Sequence, residues 1–339
     1  MSAQAILDVR DLRVEIPLSR GTVHAVDGAS FHLAPGESLA LVGESGCGKS
    51  MTLRAILGLL PQPGKIVGGQ VLFEGEDLTT VSAGRLRDVR GAGIGIIFQE
   101  PMTALNPVMR VGDQIAEGPM VHLGQSRSEA RRRALDLMRQ VGIPDPTRRA
   151  SAYPHELSGG MRQRVMIAIA LACEPRLILC DEPTTALDVT IQDQILKLLD
   201  SLRADFGVSV VFVTHDLAVV AQTCERIAVM YAGQVVETGT VDEVFRGPRH
   251  PYTLGLLRSV PRFDVVRQKL DSIAGQPPDL VMPPSGCRFH PRCPYAQDDC
   301  LEGAFPLRPL GAGSGRATAC IHDDACVAAV AGSPVIADA

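Results

Sequence analysis

The first segment that could do chemistry is rich in glycine and ends in a lysine and a serine. The residues we assign to nucleotide binding here are Gly43, Ser45, Gly46, Cys47, Gly48, Lys49, Ser50 and Met51. They fit the pattern G-x-x-x-x-G-K-[ST], in which glycines let successive backbone N–H groups converge on phosphate oxygens. Lys49 would bring a positive charge to the β- and γ-phosphates, and Ser50 a hydroxyl to Mg²⁺. We therefore predict a nucleoside triphosphate site.

A second chemical element follows a short apolar run at 177–180, which we predict to be a buried strand. Asp181 and Glu182 come directly after it. Ligands of open parallel sheets bind at the carboxyl ends of strands, so Asp181 is placed to hold Mg²⁺. Glu182 could orient and polarise the attacking water. A strand that ends in an acid is weak evidence alone, but together with the glycine-rich loop it predicts hydrolysis of the triphosphate.

Between these two elements, a helix is expected to begin after Ser158, with Gly159 and Gly160 in its first turn. Ser158 is a good N-cap, and a simple helix cap would explain the serine by itself. Its place before the acidic strand changes the interpretation. Here the chain resembles the ATP-binding cassette (ABC) family, whose Leu-Ser-Gly-Gly signature stands at this distance before the Walker B aspartate.

Three further motifs strengthen the resemblance, which covers about residues 5–255. Gln99 matches the Q-loop glutamine, 186–188 matches the D-loop with Asp188, and His215 matches the switch histidine. The resemblance implies an α/β P-loop NTPase fold, an ABC-type nucleotide-binding domain. Its parts would be an antiparallel β subdomain, a helical subdomain at about 100–165 and, in this chain, an irregular Cys-rich C-terminal extension.

The resemblance also implies a mechanism. Cassette ATPases work as head-to-tail pairs, in which Ser158 and Gly160 of one subunit close over the ATP held by the other. Glu182 would be the catalytic base, His215 would hold the γ-phosphate and water in line, and Gln99 would contact Mg²⁺ and the water. One departure concerns adenine, because Ile16 stands where the family usually has a stacking aromatic residue.

The amino-acid composition indicates a folded domain and argues against some classes of protein. The 339 residues carry 33 basic and 38 acidic side chains and a formal charge of −5, and 45% are hydrophobic. This balance is typical of a folded domain and offers no net attraction for nucleic acid. Tryptophan is absent and aromatic content is 4%, which argues against stacking on single-stranded nucleic acid. We found no secretory signal and no apolar run of membrane-spanning length, so we expect a soluble chain that stays inside the cell.

The coarse pattern of the chain indicates alternating strands and helices. Period-2 alternation at 6–16 and a turn-bounded run at 69–75 predict half-buried strands. Apolar runs at 39–42, 177–180 and 208–213 predict central strands of a parallel sheet. Apolar positions spaced at 3.6 residues from Ser128 to Val141 predict a helix whose arginines face solvent.

The composition changes towards the C-terminus, where seven of the 34 residues at 261–294 are proline. We therefore predict a nucleotide-binding domain at 1–255 and an extension with a cysteine cluster at 256–339. About the last 13 residues are expected to be disordered.

Within the ABC family, several segments of the chain resemble the ATPase subunits of oligopeptide/dipeptide importers. They are 100–107, the signature variant with Met161, 250–253, 256–257 and the cysteine-containing tail. The resemblance implies a peripheral protein at the cytoplasmic face of the membrane. Its partners would be a second, related ATPase subunit, two transmembrane permease subunits and an extracytoplasmic peptide-binding protein. An importer of nickel, glutathione or a polyamine is an alternative, and a soluble ABC ATPase of DNA repair or translation is a more distant one.

Four cysteines of the tail, Cys287, Cys293, Cys300 and Cys320, have the spacing C-x5-C-x6-C-x19-C. No C-x-x-C pair is present, which fits a zinc ribbon poorly. The spacing alone leaves an iron–sulfur cluster, zinc and unligated thiols open. The importer resemblance implies a [4Fe-4S] cluster on these four residues, with Cys326 to spare. Cys173, Cys180 and Cys224 are expected in the core.

Overall fold

The computed structural model describes residues 5–185, 187–260, 272–311 and 315–331. Its strands are β1 (Leu7–Leu18), β2 (Gly21–Leu33), β3 (Ser38–Val42), β4 (Lys65–Phe73), β5 (Glu76–Asp77), β6 (Ile94–Ile97), β7 (Leu177–Asp181), β8 (Ser209–Thr214), β9 (Arg226–Tyr231), β10 (Gln234–Thr240), β11 (Arg308–Pro309) and β12 (Ala317–Thr318). Its α-helices are α1 (Lys49–Ile56), α2 (Ala83–Asp88), α3 (Pro101–Ala104), α4 (Val111–His122), α5 (Arg127–Gln140), α6 (Pro146–Arg149), α7 (Gly159–Leu171), α8 (Val189–Phe206), α9 (Leu217–Thr223), α10 (Val241–Arg246), α11 (Pro251–Arg258) and α12 (Asp324–Ala331).

The chain divides into two compact units. One, here called the helix-rich unit, comprises Met1–Ile6, Ala34–Glu37 and Thr80–Val213. The other, here called the P-loop unit, comprises Leu7–Leu33, Ser38–Thr79 and Thr214–Ala339. The domain boundary near 255 and the helical subdomain at about 100–165 stay predictions. Helix α12 extends to Ala331, and the rest of the segment predicted to be disordered lies outside the described residues.

An antiparallel sheet in the P-loop unit has the strand order β2-β1-β4-β5. Leu7, Val9, Leu12 and Val14 of β1 are buried, whereas several residues between them are exposed or half-buried. This confirms the predicted strands at 6–16 and 69–75, although β4 already begins at Lys65. Strand β1 is irregular between Val9 and Leu12, which shifts its register with β2.

The P-loop unit has a second set of strands in the order β11-β12-β10-β9-β3. Strands β3 and β9 are parallel, and β9, β10, β12 and β11 pair antiparallel. All residues of β3 are buried, as its continuous apolar pattern predicts. Strand β3 therefore runs through the interior of the unit, and the glycine-rich loop begins at the residue after it.

The strands of the helix-rich unit are parallel and have the order β8-β7-β6. Strands β7 and β8 are buried along their whole length, which confirms the predicted central strands at 177–180 and 208–213. Gly95 in β6 allows a close approach of α7, because a Cβ atom there would lie 2.5 Å from the carbonyl oxygen of Ala170. Strand β6 is thus packed directly against the end of α7, the helix that follows Ser158.

Helix α5 confirms the predicted 3.6-residue periodicity. Its buried side chains are Ala130, Ala134, Leu137 and Met138. The helix begins one residue before the predicted Ser128, because Ser126 is its N-cap and forms a capping box with Glu129. No helix in the described part of the chain is both long and apolar enough to cross a membrane.

Glu237 in β10 anchors the start of α11. Its carboxylate accepts hydrogen bonds from the backbone N–H groups of Arg249 at 2.8 Å and His250 at 2.9 Å. The side chain is fully buried, and burial raises its pKa from the ordinary 4.5 to about 7. This carboxyl group therefore keeps its proton in the folded chain at pH values where it would lose it in the unfolded chain.

We expect the contribution of Glu237 to the free energy of unfolding to fall as the pH rises from about 4.5 to 7, because in that window this carboxyl group binds its proton in the folded state and releases it in the unfolded state. The contribution of Glu237 is up to about 3 kcal/mol. Glu237→Gln should flatten this slope whatever its effect on the baseline. Urea unfolding at several pH values measures it, and an unchanged slope in the variant would contradict the assignment.

Candidate functional site

The glycine-rich loop connects β3 to α1 and is closely packed by the backbone around it. A Cβ atom on Gly43 would lie 2.1 Å from the carbonyl oxygen of Met230, and one on Gly48 would lie 2.3 Å from that of Ala25. Both glycines also have positive φ angles, 156° and 109°. Glycine is thus required at these two positions by space as well as by conformation.

Lys49 is the first residue of α1, and its side chain points back over the loop. It is 5% exposed, and its ammonium group donates hydrogen bonds to the carbonyl oxygens of Gly43 at 2.7 Å and Glu44 at 3.0 Å. Ser50 is half-buried in the same first turn, and Met51 follows it. A buried cation and a helix N-terminus therefore lie together, which is the arrangement that binds phosphate.

The remaining loop residues divide into an exposed tip and a buried base. Ser45 and Gly46 are exposed, whereas Cys47 is buried. The Cys47 carbonyl accepts a hydrogen bond from the backbone N–H of Gly233 at 2.8 Å, in the turn between β9 and β10. Burial raises the pKa of the Cys47 thiol, and nearby Lys49 opposes that shift. The thiol is therefore neutral and fills space at the base of the loop.

In the helix-rich unit, the structure brings together Asp181, Glu182 and Gln99. Asp181 is the last residue of β7 and is 5% exposed. Glu182 follows with a positive φ of 46°, and its backbone N–H donates to the carbonyl oxygen of Val213 at 3.0 Å. Its carboxylate accepts hydrogen bonds from Gln99 at 3.2 Å and from Thr185 at 2.9 Å. Sequence reasoning missed Thr185, whose hydroxyl holds the predicted catalytic carboxylate.

The signature residues occupy the N-terminus of α7. Ser158 is its N-cap, and its hydroxyl accepts from the backbone N–H of Met161 at 3.3 Å. A Cβ atom on Gly160 would lie 3.0 Å from the side chain of Ile191 in α8, and one on Gly159 would lie 3.9 Å from that of Leu187. The signature and the start of α8 are thus neighbours. Asp188, from the predicted D-loop, is the N-cap of α8, whereas Ala186 lies outside the described residues.

His215 follows β8, and its side chain is exposed. The next residue, Asp216, is the N-cap of α9. Ile16 is half-buried in β1, opposite Val23 of β2. Both residues belong to the P-loop unit, together with the glycine-rich loop and the cysteine-rich tail.

Sequence reasoning did not identify the residues that hold Glu44, the first variable position of the loop. The Glu44 backbone N–H donates to the Tyr252 hydroxyl at 2.8 Å. Its carboxylate pairs with Arg292, at N–O distances of 2.7 Å and 3.1 Å. No local pattern could predict these contacts, because both partners are more than 200 residues away along the chain.

The four predicted cluster ligands of the tail line one pocket. They are Cys287, Cys293, Cys300 and Cys320, and apolar and aromatic side chains complete the wall. Burial raises the pKa of the Cys293 thiol to about 11 and that of Cys320 to about 12. Cys326 is buried and does not line this pocket. The structure therefore separates the four predicted ligands from the spare cysteine.

A smaller group overlaps this pocket. Among the described residues, ligand atoms of Asp299, Cys300 and His322 lie within 4.8 Å of one another, close enough for a single metal ion. His322 and Asp299 are also hydrogen-bonded to each other, at 2.7 Å. This group could hold one metal ion, whereas the four cysteines would hold a cluster. The thiolates of an iron–sulfur cluster bind different iron atoms, so their sulfur atoms do not have to converge on one point.

Comparison with known proteins places the chain among its relatives. The family model for ABC transporters matches residues 26–185, and the model for the oligopeptide/dipeptide transporter C-terminal region matches residues 236–300. The chain is 49% identical over 321 residues to the dipeptide transport ATP-binding protein DppD of Bacillus subtilis (strain 168), covering 94% of this chain and 96% of that protein. It is 52% identical over 304 residues to the oligopeptide transport ATP-binding protein OppD of the same organism, covering 89% and 85%.

Solved structures show the same fold. The dimeric ATP-binding cassette MJ0796 bound to ADP and Pi superposes with a TM-score of 0.63 at 30% identity, over 69% of this chain and 98% of that chain. CbiO1 from Clostridium perfringens, part of the ABC transporter complex cbiONQ, superposes with a TM-score of 0.60 at 32% identity, over 71% and 90%.

Fold and site together define an α/β P-loop ATPase of the ABC transporter class, as the sequence motifs predicted. That class implies ATP and Mg²⁺ as ligands, and the closely packed loop with its buried ammonium group fits a triphosphate. Within the class, the chain belongs to the ATP-binding proteins of the oligopeptide/dipeptide transporter family.

We expect Gly43→Ala to weaken ATP binding by about tenfold or more, because the added methyl group would collide with the Met230 carbonyl and displace the loop. Titration with a fluorescent ATP analogue measures the affinity. Gly36→Ala is the matched control, since Gly36 also has a positive φ, of 76°, but has open space around its Cβ position. Equal affinities of the two variants would contradict the steric account.

Proposed function

We propose that this chain is the ATP-hydrolysing subunit that powers the import of di- or oligopeptides through a membrane ABC transporter. The observation that carries the proposal is a phosphate-binding loop with a buried lysine in a chain that also matches the C-terminal region of peptide transporters. Relatives named for dipeptide and oligopeptide transport, matched over 96% and 85% of their lengths, support the choice of solute.

Binding of the triphosphate falls to the glycine-rich loop. Its backbone N–H groups and Lys49 would bind the phosphate oxygens. Ser50, Asp181 and Gln99 would hold Mg²⁺, which neutralises charge that develops on the phosphates. The ammonium group of Lys49 already lies at the loop, held by two carbonyl oxygens, so it needs little rearrangement to meet a phosphate.

The residues that follow β7 and β8 would carry out hydrolysis. Glu182 would accept the proton of the attacking water, and His215 would hold the γ-phosphate and the water in line. The hydrogen bonds from Gln99 and Thr185 keep the Glu182 carboxylate in one place. Gln99 would also contact Mg²⁺, which links metal binding to the position of the catalytic carboxylate.

We further infer that the active form is a pair of ATPase subunits. Ser158, Gly159, Gly160 and Asp188 of one subunit would complete the nucleotide site of the other, using the N–H groups at the start of α7. The second subunit is proposed to be a related ATPase. The pair would sit at the cytoplasmic face of the membrane on two permease subunits, supplied by an extracytoplasmic peptide-binding protein. The net acidic chain gives no reason to expect a nucleic acid partner.

Glu182→Gln should lower steady-state ATP hydrolysis at least about a hundredfold while ATP still binds, because only the proton acceptor is lost. Phosphate release measures turnover, and a fluorescent ATP analogue measures binding. Lys49→Ala is the comparison variant and should lose ATP binding itself. Normal turnover in Glu182→Gln would rule out Glu182 as the base.

We also propose that Cys287, Cys293, Cys300 and Cys320 hold a [4Fe-4S] cluster. The donor set fits, since four thiols line one largely apolar pocket, and apolar burial of sulfur ligands is usual for such clusters. Bound, the cluster would crosslink four short segments of a tail that has little regular structure.

Protein purified without oxygen should contain about four iron and four acid-labile sulfide per chain. Cys293→Ser should lose most of the iron, whereas Cys326→Ser, the matched control outside the pocket, should keep it. Zinc in place of iron, or equal iron loss in both variants, would refute the assignment.

A further inference from the structure

Two arginines lie between the first two cysteines of the pocket, in a segment that runs from Cys287 to Cys293. We call this segment the arginine strut. Both ends of the strut face the cysteine pocket, together with Phe289 and His290. Its arginines, Arg288 and Arg292, point to other partners. The strut therefore contacts two separate parts of the P-loop unit at once.

Arg292 reaches the glycine-rich loop. Its guanidinium donates two hydrogen bonds to the Glu44 carboxylate, at 2.7 Å and 3.1 Å, and its side chain is only 4% exposed. It also donates to the carbonyl oxygen of Ala274 at 2.9 Å and lies 5.8 Å from the centre of the Tyr231 ring. The Glu44 pair raises the pKa of Arg292 above its ordinary value. A two-point pair of this kind fixes orientation as well as distance.

Arg288 supports the loop from a second side. It is 7% exposed and donates to the carboxylate of Asp27 and to the carbonyl oxygen of Ala232. Ala232 belongs to the tight turn before Gly233, whose backbone N–H donates to the Cys47 carbonyl at 2.8 Å. Arg288 thus stabilises the turn at Ala232 and Gly233, and that turn is hydrogen-bonded to Cys47 at the base of the loop.

Aromatic packing joins these contacts into one block. The Phe289 ring lies 5.2 Å from that of Tyr231 and 5.4 Å from that of Tyr252, measured between ring centres. The Tyr252 hydroxyl accepts the hydrogen bond from the Glu44 backbone. Glu44 is therefore held through its side chain by the strut and through its backbone by a residue packed on the strut.

We propose that Arg292 is a positioning residue for nucleotide binding, and that the arginine strut couples the integrity of the cysteine pocket to the shape of the phosphate-binding loop. The pocket and the loop share no residue, but Cys287 and Cys293 form the ends of the strut, and Arg292, next to Cys293, contacts Glu44. Loss of the pocket's cysteines would loosen the strut, release Glu44 and weaken the grip on ATP. The inference rests on the proposed binding of ATP at this loop.

The test compares the affinity of full-length variants for a fluorescent ATP analogue. Arg292→Ala should weaken binding about tenfold, a size typical of coupling between sites. Arg292→Lys should recover part of that loss, because it restores the charge but not the two-point contact. Arg139→Ala is the control and should bind normally, since Arg139 pairs with Asp136 within α5 and makes no described contact to the cysteine pocket or to the loop.

A double-mutant cycle tests whether Arg292 acts through Glu44. Glu44→Ala should weaken ATP binding as Arg292→Ala does, and the double variant should be no weaker than either single variant. Additive losses would overturn the proposed route through Glu44. Normal affinity of Arg292→Ala would overturn the positioning role, while the loss of binding in Lys49→Ala would leave the proposed ATP site intact.

A second cycle tests the coupling to the cysteines. Cys293→Ser should weaken ATP binding in the otherwise unchanged chain but not in the Arg292→Ala background. Thermal unfolding of each variant confirms that it is folded before titration, and Cys320→Ser replaces Cys293→Ser if the latter does not fold. Equal weakening in both backgrounds, or none in either, would overturn the coupling.

Discussion

The molecule depends on one constraint, the close packing of the glycine-rich loop against its own unit. The loop has to turn several N–H groups inward, and these groups and the Lys49 ammonium repel one another. Carbonyl oxygens of Gly43 and Glu44 accept the hydrogen bonds of the ammonium group, and Met230 and Ala25 leave no room for a side chain at Gly43 or Gly48. The neighbouring backbone therefore supplies the organisation that phosphate would otherwise have to impose on binding.

The second requirement is a fixed carboxylate at the end of β7. Glu182 adopts a positive φ, a conformation that costs free energy for a residue with a side chain. Its backbone hydrogen bond to Val213 ties this conformation to the end of the neighbouring strand β8. The unfavourable backbone angle is thus maintained by the sheet, and the side chain is maintained by Gln99 and Thr185. This is the arrangement expected where position matters more than local stability.

Much of this could be predicted from the sequence because the signals are local. The loop motif, the continuous apolar runs of β3, β7 and β8, and the N-cap at Ser158 each depend on residues close together in the chain. The hairpin of β9 and β10 was not predicted. Strand β10 carries Glu237 and Thr238 in its buried part, and these polar residues interrupt the apolar pattern that would identify a strand. The sequence around Glu182 also carries no pattern that predicts its backbone conformation, since its positive φ is imposed by the sheet.

The contacts of Glu44 could not be predicted from local sequence patterns, because its partners are distant along the chain. The motif G-x-x-x-x-G-K-[ST] leaves this position variable. In this chain the Glu44 side chain contacts Arg292, which lies outside the loop. A carboxylate at this place would repel a triphosphate if it were unpaired, and the guanidinium of Arg292 neutralises that charge while it fixes the loop. The same ion pair therefore removes an electrostatic penalty and holds the loop in place.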